Sequence, residues 1–216
     1  EWIGHPAELD EPLGAVVDGS WDREAYKEEL KRQKAFEAAV QSFAKLAGTG
    51  KFDEAAKMLE EQIAASKDQE IKQRWTMIQH RFNLMTGRAT KTDFDFYRND
   101  LADRAGNPLA VYQFAMDLYD LTQNGGKVGP LAGEAIAALT KEIEAVDEAQ
   151  NKAAIYEAVA RLHTIDKDFE KAIAAQQKAV ELSEGQSRSL QKRMALFLDE
   201  LQSAVKDDAD KSADQK

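Results

Sequence analysis

Residues 153–185 read AAIYEAVARLHTIDKDFEKAIAAQQKAVELSEG, and the fold turns on this stretch. Two amphipathic runs, at about 151–165 and 168–184, are separated by only a short polar turn. Their apolar residues recur at helical spacing, so the segment reads as two antiparallel helices in a hairpin. Small residues stand where the two helices would cross. Helix axes that approach to ~8–10 Å cannot admit large side chains at the closest point, and Ala160 and Ala172 meet that need. Tyr156, Val159, Ile173, Val180 and Leu182 would fill the space around the crossing.

This pattern resembles a tetratricopeptide (TPR) repeat. Tyr156 matches its early large residue, Ala160 its small crossing residue, Phe169 its aromatic just after the turn, and Ala172 and Ala179 its two alanines seven apart. The segment departs from the family at three places. Ala replaces the usual Gly at the crossing, Lys167 stands at the usual turn Gly, and Glu184-Gly185 replaces the closing Pro. The resemblance implies an all-α, TPR-like solenoid of stacked helical hairpins.

The same organisation extends outward. A weaker copy spans Phe36 to Ala65, where the turn Gly48-Thr49-Gly50-Lys51-Phe52 is followed by Asp53-Glu54-Ala55-Ala56, with Phe43 at a position that would widen the crossing. A third candidate pairs Leu109–Leu121 with Ala132–Val146. About nine helices are expected. Asp22 N-caps a first helix running through Leu46, a second carries Phe52 to Ile63, a third spans about 68–85, and a fourth about 92–104. Asn107-Pro108 opens the fifth with an N-cap and a proline at the first helical position. Later helices run at about 131–147, 151–165, 168–184 and 187–206, the last as a cap over the final hairpin. Residues 22–206 thus read as one helical domain. Residues 207–216 lack an apolar period and are expected to form a disordered tail. The stretch Asn124-Gly125-Gly126-Lys127-Val128-Gly129-Pro130 reads as a flexible connection.

Composition narrows the chemistry. The 216 residues contain no Cys, which removes thiol nucleophiles, disulfides and thiolate metal sites from this chain. Lys and Arg total 29 against 39 Asp and Glu, for a net charge of -10, so a broad phosphate-binding surface is not expected. The longest stretch without a charge, Ala105 to Met116, has 12 residues, too few to span a bilayer. No nucleic-acid partner and no membrane insertion are expected.

The N-terminal 21 residues differ from the helical region after them. Trp2-Ile3-Gly4-His5-Pro6 reads as a strand end and turn, and Leu9 to Val17 as one or two helical turns closed by Gly19. These residues, with Val16-Val17-Asp18-Gly19-Ser20-Trp21-Asp22, resemble the end of a thioredoxin-like domain in bacterial redoxins of the TlpA and AhpC/TSA type. In such proteins a last strand of the form W-x-G-x-P precedes a helix containing L-x-x-V, and some continue through G-x-W-D into a long helical region. The resemblance implies that residues 1–21 are the remnant of a thioredoxin-like domain lying upstream, with the chain a segment of a longer thiol-disulfide oxidoreductase. It also implies a periplasmic or exported setting. The absence of Cys suits a cytoplasmic protein equally well.

No catalytic constellation emerges, and no cofactor or metal is expected. His5, His80 and His163 share no metal-ligand spacing and read as surface or half-buried residues. Phe94, Phe96 and Tyr97, and the stripe from Trp75 to Phe82, read as packing. Function is expected in a concave groove lined by the first helix of each hairpin. Its residues would be Glu37 and Val40 on the first pair, Gln113 and Asp117 on the middle pair, and Ala154, Glu157, Arg161 and Thr164 on the last. Such a mixed surface suits a peptide or protein segment. The alternatives are a spacer or self-association domain for the redox domain, and an enzyme or ligand sensor with an unrecognised pocket.

Overall fold

Asp22 starts the helical region as its sequence position predicts: its carboxylate accepts from the backbone N–H of Glu24 and of Ala25, both at 3.0 Å. The structure, a computed structural model, describes residues 21–213 and, before them, residues 13, 14, 16, 17 and 19, with side chains described as far as residue 206. Leu13, Gly14, Val16 and Val17 are helical, and Gly19 has a φ of 78°. The expected strand end and turn at residues 2–6 lie outside the described residues.

From residue 21 on, the described residues form nine α-helices and no strand. They are α1 (Arg23–Gly48), α2 (Phe52–Ala65), α3 (Gln69–Thr86), α4 (Lys91–Asp103), α5 (Pro108–Gln123), α6 (Leu131–Glu142), α7 (Ala149–Ile165), α8 (Phe169–Ser183) and α9 (Arg188–Ala213). A 3₁₀ turn, Ile143–Ala145, tightens the end of α6. The protein is therefore all-α, as the periodicity predicts. Helix α9 continues past the expected boundary at 206, so residues 207–213 are helical where a tail was expected.

The chain divides into two compact units, Glu1–Thr76 and Met77–Lys216, with the boundary inside α3. In the first unit, α1 and α2 pack as a hairpin. Ala55, Leu59 and Trp75 are buried there, and Phe36 meets Trp75 edge-on at 4.9 Å. Helix α1 has no buried residue. Its N-terminal half is laced with ion pairs one turn apart, Lys27–Glu24 and Lys31–Glu28 among them, which marks a solvated face.

The second unit holds the main core. Val111, Phe114, Ala115, Leu118 and Leu121 place one stripe of α5 against Leu131, Ala132, Ala135 and Leu139 of α6. Helix α7 packs on α8 through Ala160 and Ala172, both with no exposed surface, as their small size predicts. Beyond these hairpins, α5 also packs on α7 and α4 on α6. Contacts between next-but-one helices are what stacked hairpins produce.

The glycine loop is pinned, not flexible as expected. Val128 is buried, and the Lys127 N–H donates to the Leu84 carbonyl at 2.9 Å. A Cβ on Gly126 would lie 2.7 Å from the Leu121 carbonyl oxygen, so glycine is required by close approach.

Candidate functional site

The N-terminal ends of α5, α7 and α9 converge on an open cleft of about 690 Å³, a size ordinary for ligand sites. Asn107 sets the entry of α5 by accepting from the Ala110 N–H at 3.2 Å, and Pro108 needs no donor at that position. The chain then presents Leu109 and Tyr112 toward the cleft, while Val146 closes it from the link between α6 and α7. Ala154 and Ile155 come from α7, Leu190 and Arg193 from α9. Most of this wall is carbon. Leu109, at its edge, is 64% exposed.

Charge around the cleft is arranged in two tiers. Glu157 does not line the cleft: it is buried and held by two guanidinium groups, Arg161 at 2.8 Å and the cleft residue Arg193 at 3.0 Å. Arg161 also stacks on Phe197, 4.4 Å from the ring centre, and on Tyr119 at 5.3 Å. Burial acts to lower the Arg161 pKa, but the Glu157 hydrogen bond and charge outweigh it and raise it. Burial first, and the Glu157 charge next, push the Tyr112 phenol upward. At the mouth, Asp147 and Glu148 are exposed carboxylates with no ion-pair partner among the described residues. The Glu148 carboxylate accepts from the Asn151 side-chain amide at 2.9 Å.

Of the eight residues expected to line a groove, the six in the second unit are dispersed. Ala154 lines the cleft. Glu157 and Arg161 are brought together, but into the internal network that ties α9 to α7, so they are committed to the fold. Thr164 donates to the Arg161 carbonyl and lines a second, smaller hollow beside the glycine loop. Gln113 and Asp117 are exposed on α5. Glu37, exposed, and Val40, half-buried, belong to the first unit.

His80 differs from its expected surface or half-buried setting. It is buried, with Nδ1 2.8 Å from Asp93 Oδ1 and its ring stacked on Phe96 at 4.2 Å. Asp93 also accepts from the Asn83 amide at 2.9 Å, the Thr90 N–H at 2.7 Å and the Thr90 hydroxyl at 2.8 Å. Burial works to raise the Asp93 pKa, and these hydrogen bonds outweigh it and lower it. The partners fill the carboxylate's lone pairs, so the cluster holds α3 to α4 instead of meeting a substrate. His163 is half-buried, with its pKa lowered chiefly by desolvation.

No family model, no curated protein and no solved structure matches the chain. Among the described residues, no three His, Asp or Glu side chains are placed to hold a metal ion, and no helix is long and apolar enough to cross a membrane.

Spacing and composition do not single out Leu109, Tyr112, Val146, Leu190 and Arg193 as cleft residues. Periodicity assigns apolar residues to buried stripes, and nothing in spacing separates a stripe covered by the next helix from one left open at a helix end. The one signal was Asn107-Pro108-Leu109, which places a large apolar residue in the first turn, where helices more often carry polar side chains.

Proposed function

We propose that the chain is a non-catalytic protein-interaction module that binds a segment of another protein. The observation that supports this most is the open cleft at the ends of α5, α7 and α9, with a largely apolar wall and Leu109 exposed at its edge. Burying a leucine stabilises a complex by about 2 kcal/mol, so a wall of this kind gives a partner's side chain a reason to settle there. Ligand-binding clefts also commonly form between helices.

We propose further that the module serves a thioredoxin-like redox domain, a reading supported by Trp2-Ile3-Gly4-His5-Pro6 and Gly19-Ser20-Trp21-Asp22 alone. An exported setting goes with it. A reading frame upstream of Glu1 that carries a CxxC-bearing domain is the expected finding, and any other domain there would end that part of the proposal.

Selection of randomised linear peptides on the immobilised full chain tests the interaction reading. The expected outcome is enrichment of a shared consensus, with the synthetic peptide binding saturably in solution. Failure to enrich any consensus overturns it.

A further inference from the structure

We propose that the occupant of the cleft is an extended peptide segment in which a large apolar side chain stands next to a lysine or arginine. This deepens the interaction reading and rests on it. The apolar requirement comes from the wall formed by Leu109, Tyr112, Val146, Ile155 and Leu190. The basic requirement comes from the unequal charge of the two tiers. Inside, Glu157 faces two guanidinium groups, Arg161 and Arg193, so that tier keeps one net positive charge and holds no free carboxylate for a basic ligand. The open charge is the pair Asp147 and Glu148 at the mouth, on a chain of net charge -10. A cation beside the anchoring side chain would meet those carboxylates. Apolar burial supplies most of the affinity, while the charges select the partner and speed its approach.

The backbone points to an extended segment and not a helix. Helix α7 has no side-chain cap at Glu148, and the Ala149 and Gln150 N–H groups have no acceptor among the described residues. An extended chain has carbonyls to offer such donors along its whole length, whereas a helix offers free ones only in its last turn.

The experiment runs the peptide selection on the full chain and on two variants, Leu109→Ser and the double substitution Asp147→Asn with Glu148→Gln. All three positions are exposed, so the variants should retain the wild-type thermal transition, which is checked first. The expected consensus on the wild type joins Leu, Ile, Met or Phe to Lys or Arg. The synthetic consensus peptide, followed by fluorescence polarisation, should bind the Leu109→Ser variant at least tenfold more weakly. It should bind the double variant about fivefold more weakly at low salt, with the difference vanishing near about 0.5 M salt. A consensus without a basic residue, or with an acidic one, overturns the assigned ligand and leaves the interaction reading standing. So does a consensus peptide whose binding ignores Leu109→Ser. Concentration-dependent dimerisation abolished by Leu109→Ser would replace the peptide with a second copy of the chain. No consensus at all removes both the ligand and the interaction reading.

Discussion

Lys167 carries a φ of 58°, the one non-glycine residue among those described in the left-handed region. It stands at the turn between α7 and α8, where the resemblance to a tetratricopeptide repeat places a glycine. A side chain there costs roughly 1–2 kcal/mol of steric strain, part of which glycine would return as lost chain entropy. Lys167→Gly should therefore raise stability by about 0.5–1 kcal/mol and the thermal midpoint by about 2 °C, whereas Lys167→Ala should give no gain. A calorimetric comparison of the two variants with the wild type checks this. Asp93 makes a second prediction of the same scale. Its folded pKa is lowered, so its contribution is complete above the unfolded carboxylate value of about 4 and is lost as pH falls through the folded value. Urea midpoints measured from pH 6 down to about pH 3 should fall more steeply for the wild type than for Asp93→Asn. At neutral pH, Asp93→Ala should cost about 3 kcal/mol, since the Thr90 N–H and the buried His80 lose their acceptor together.

Helix α9 shows how an element's role follows from its spacing. Leu190, Met194, Phe197 and Leu201 recur every three or four residues, and all four are buried. Arg193 adds the ion pair to Glu157, and the Met194 carbonyl accepts from the buried Gln176 amide at 2.8 Å. A chain ending at Ser187 would uncover Ala153, Ala179 and the Arg161–Glu157 pair at once. The burial of four large side chains, Leu190, Met194, Phe197 and Leu201, is lost with it at about 2 kcal/mol each, so this truncation should remove the cooperative thermal transition of the second unit and make it bind a hydrophobic dye. A sharp transition retained in the truncated chain would show α9 to be accessory. Such elements were readable beforehand because their signals are local: caps at Asp22 and Asn107, glycines after α1 and α3, and apolar residues at helical spacing. The candidate site was not readable, because it depends on which faces stay uncovered. Glu157 and Arg161 have the polarity of groove residues, and only the approach of Arg193 and Phe197 from α9 shows that they are used internally. His80 likewise looks like a surface residue until Asp93, thirteen positions on, folds over it.

The two units differ in how much they bury, and that difference has a consequence for the whole molecule. Among described residues of the first unit, only Ala55, Leu59 and Trp75 are buried apolar side chains. Along α1 the apolar positions Tyr26, Leu30, Phe36, Val40, Phe43 and Leu46 follow the predicted stripe, yet each is only half-buried. A 26-residue helix gains most of its stability from a packed face, and this one has a partial face. In the second unit a continuous core runs from Leu84 through α5, α6, α7 and α8 to Leu201. Opening a segment costs in proportion to the apolar surface it uncovers, so α1 should open well before α5–α8. Hydrogen exchange at neutral pH should show α1 amides exchanging at least a hundredfold faster than those of the Ala153–Leu162 stretch, a difference of about 3 kcal/mol in opening free energy. The gradient should persist on dilution, because it arises within one chain. Equal protection in α1 and α7, falling for α1 alone as the protein is diluted, would show instead that a second molecule covers the half-exposed stripe. In that case Leu30→Ser and Val40→Ser would expose α1 to exchange while leaving α7 protected.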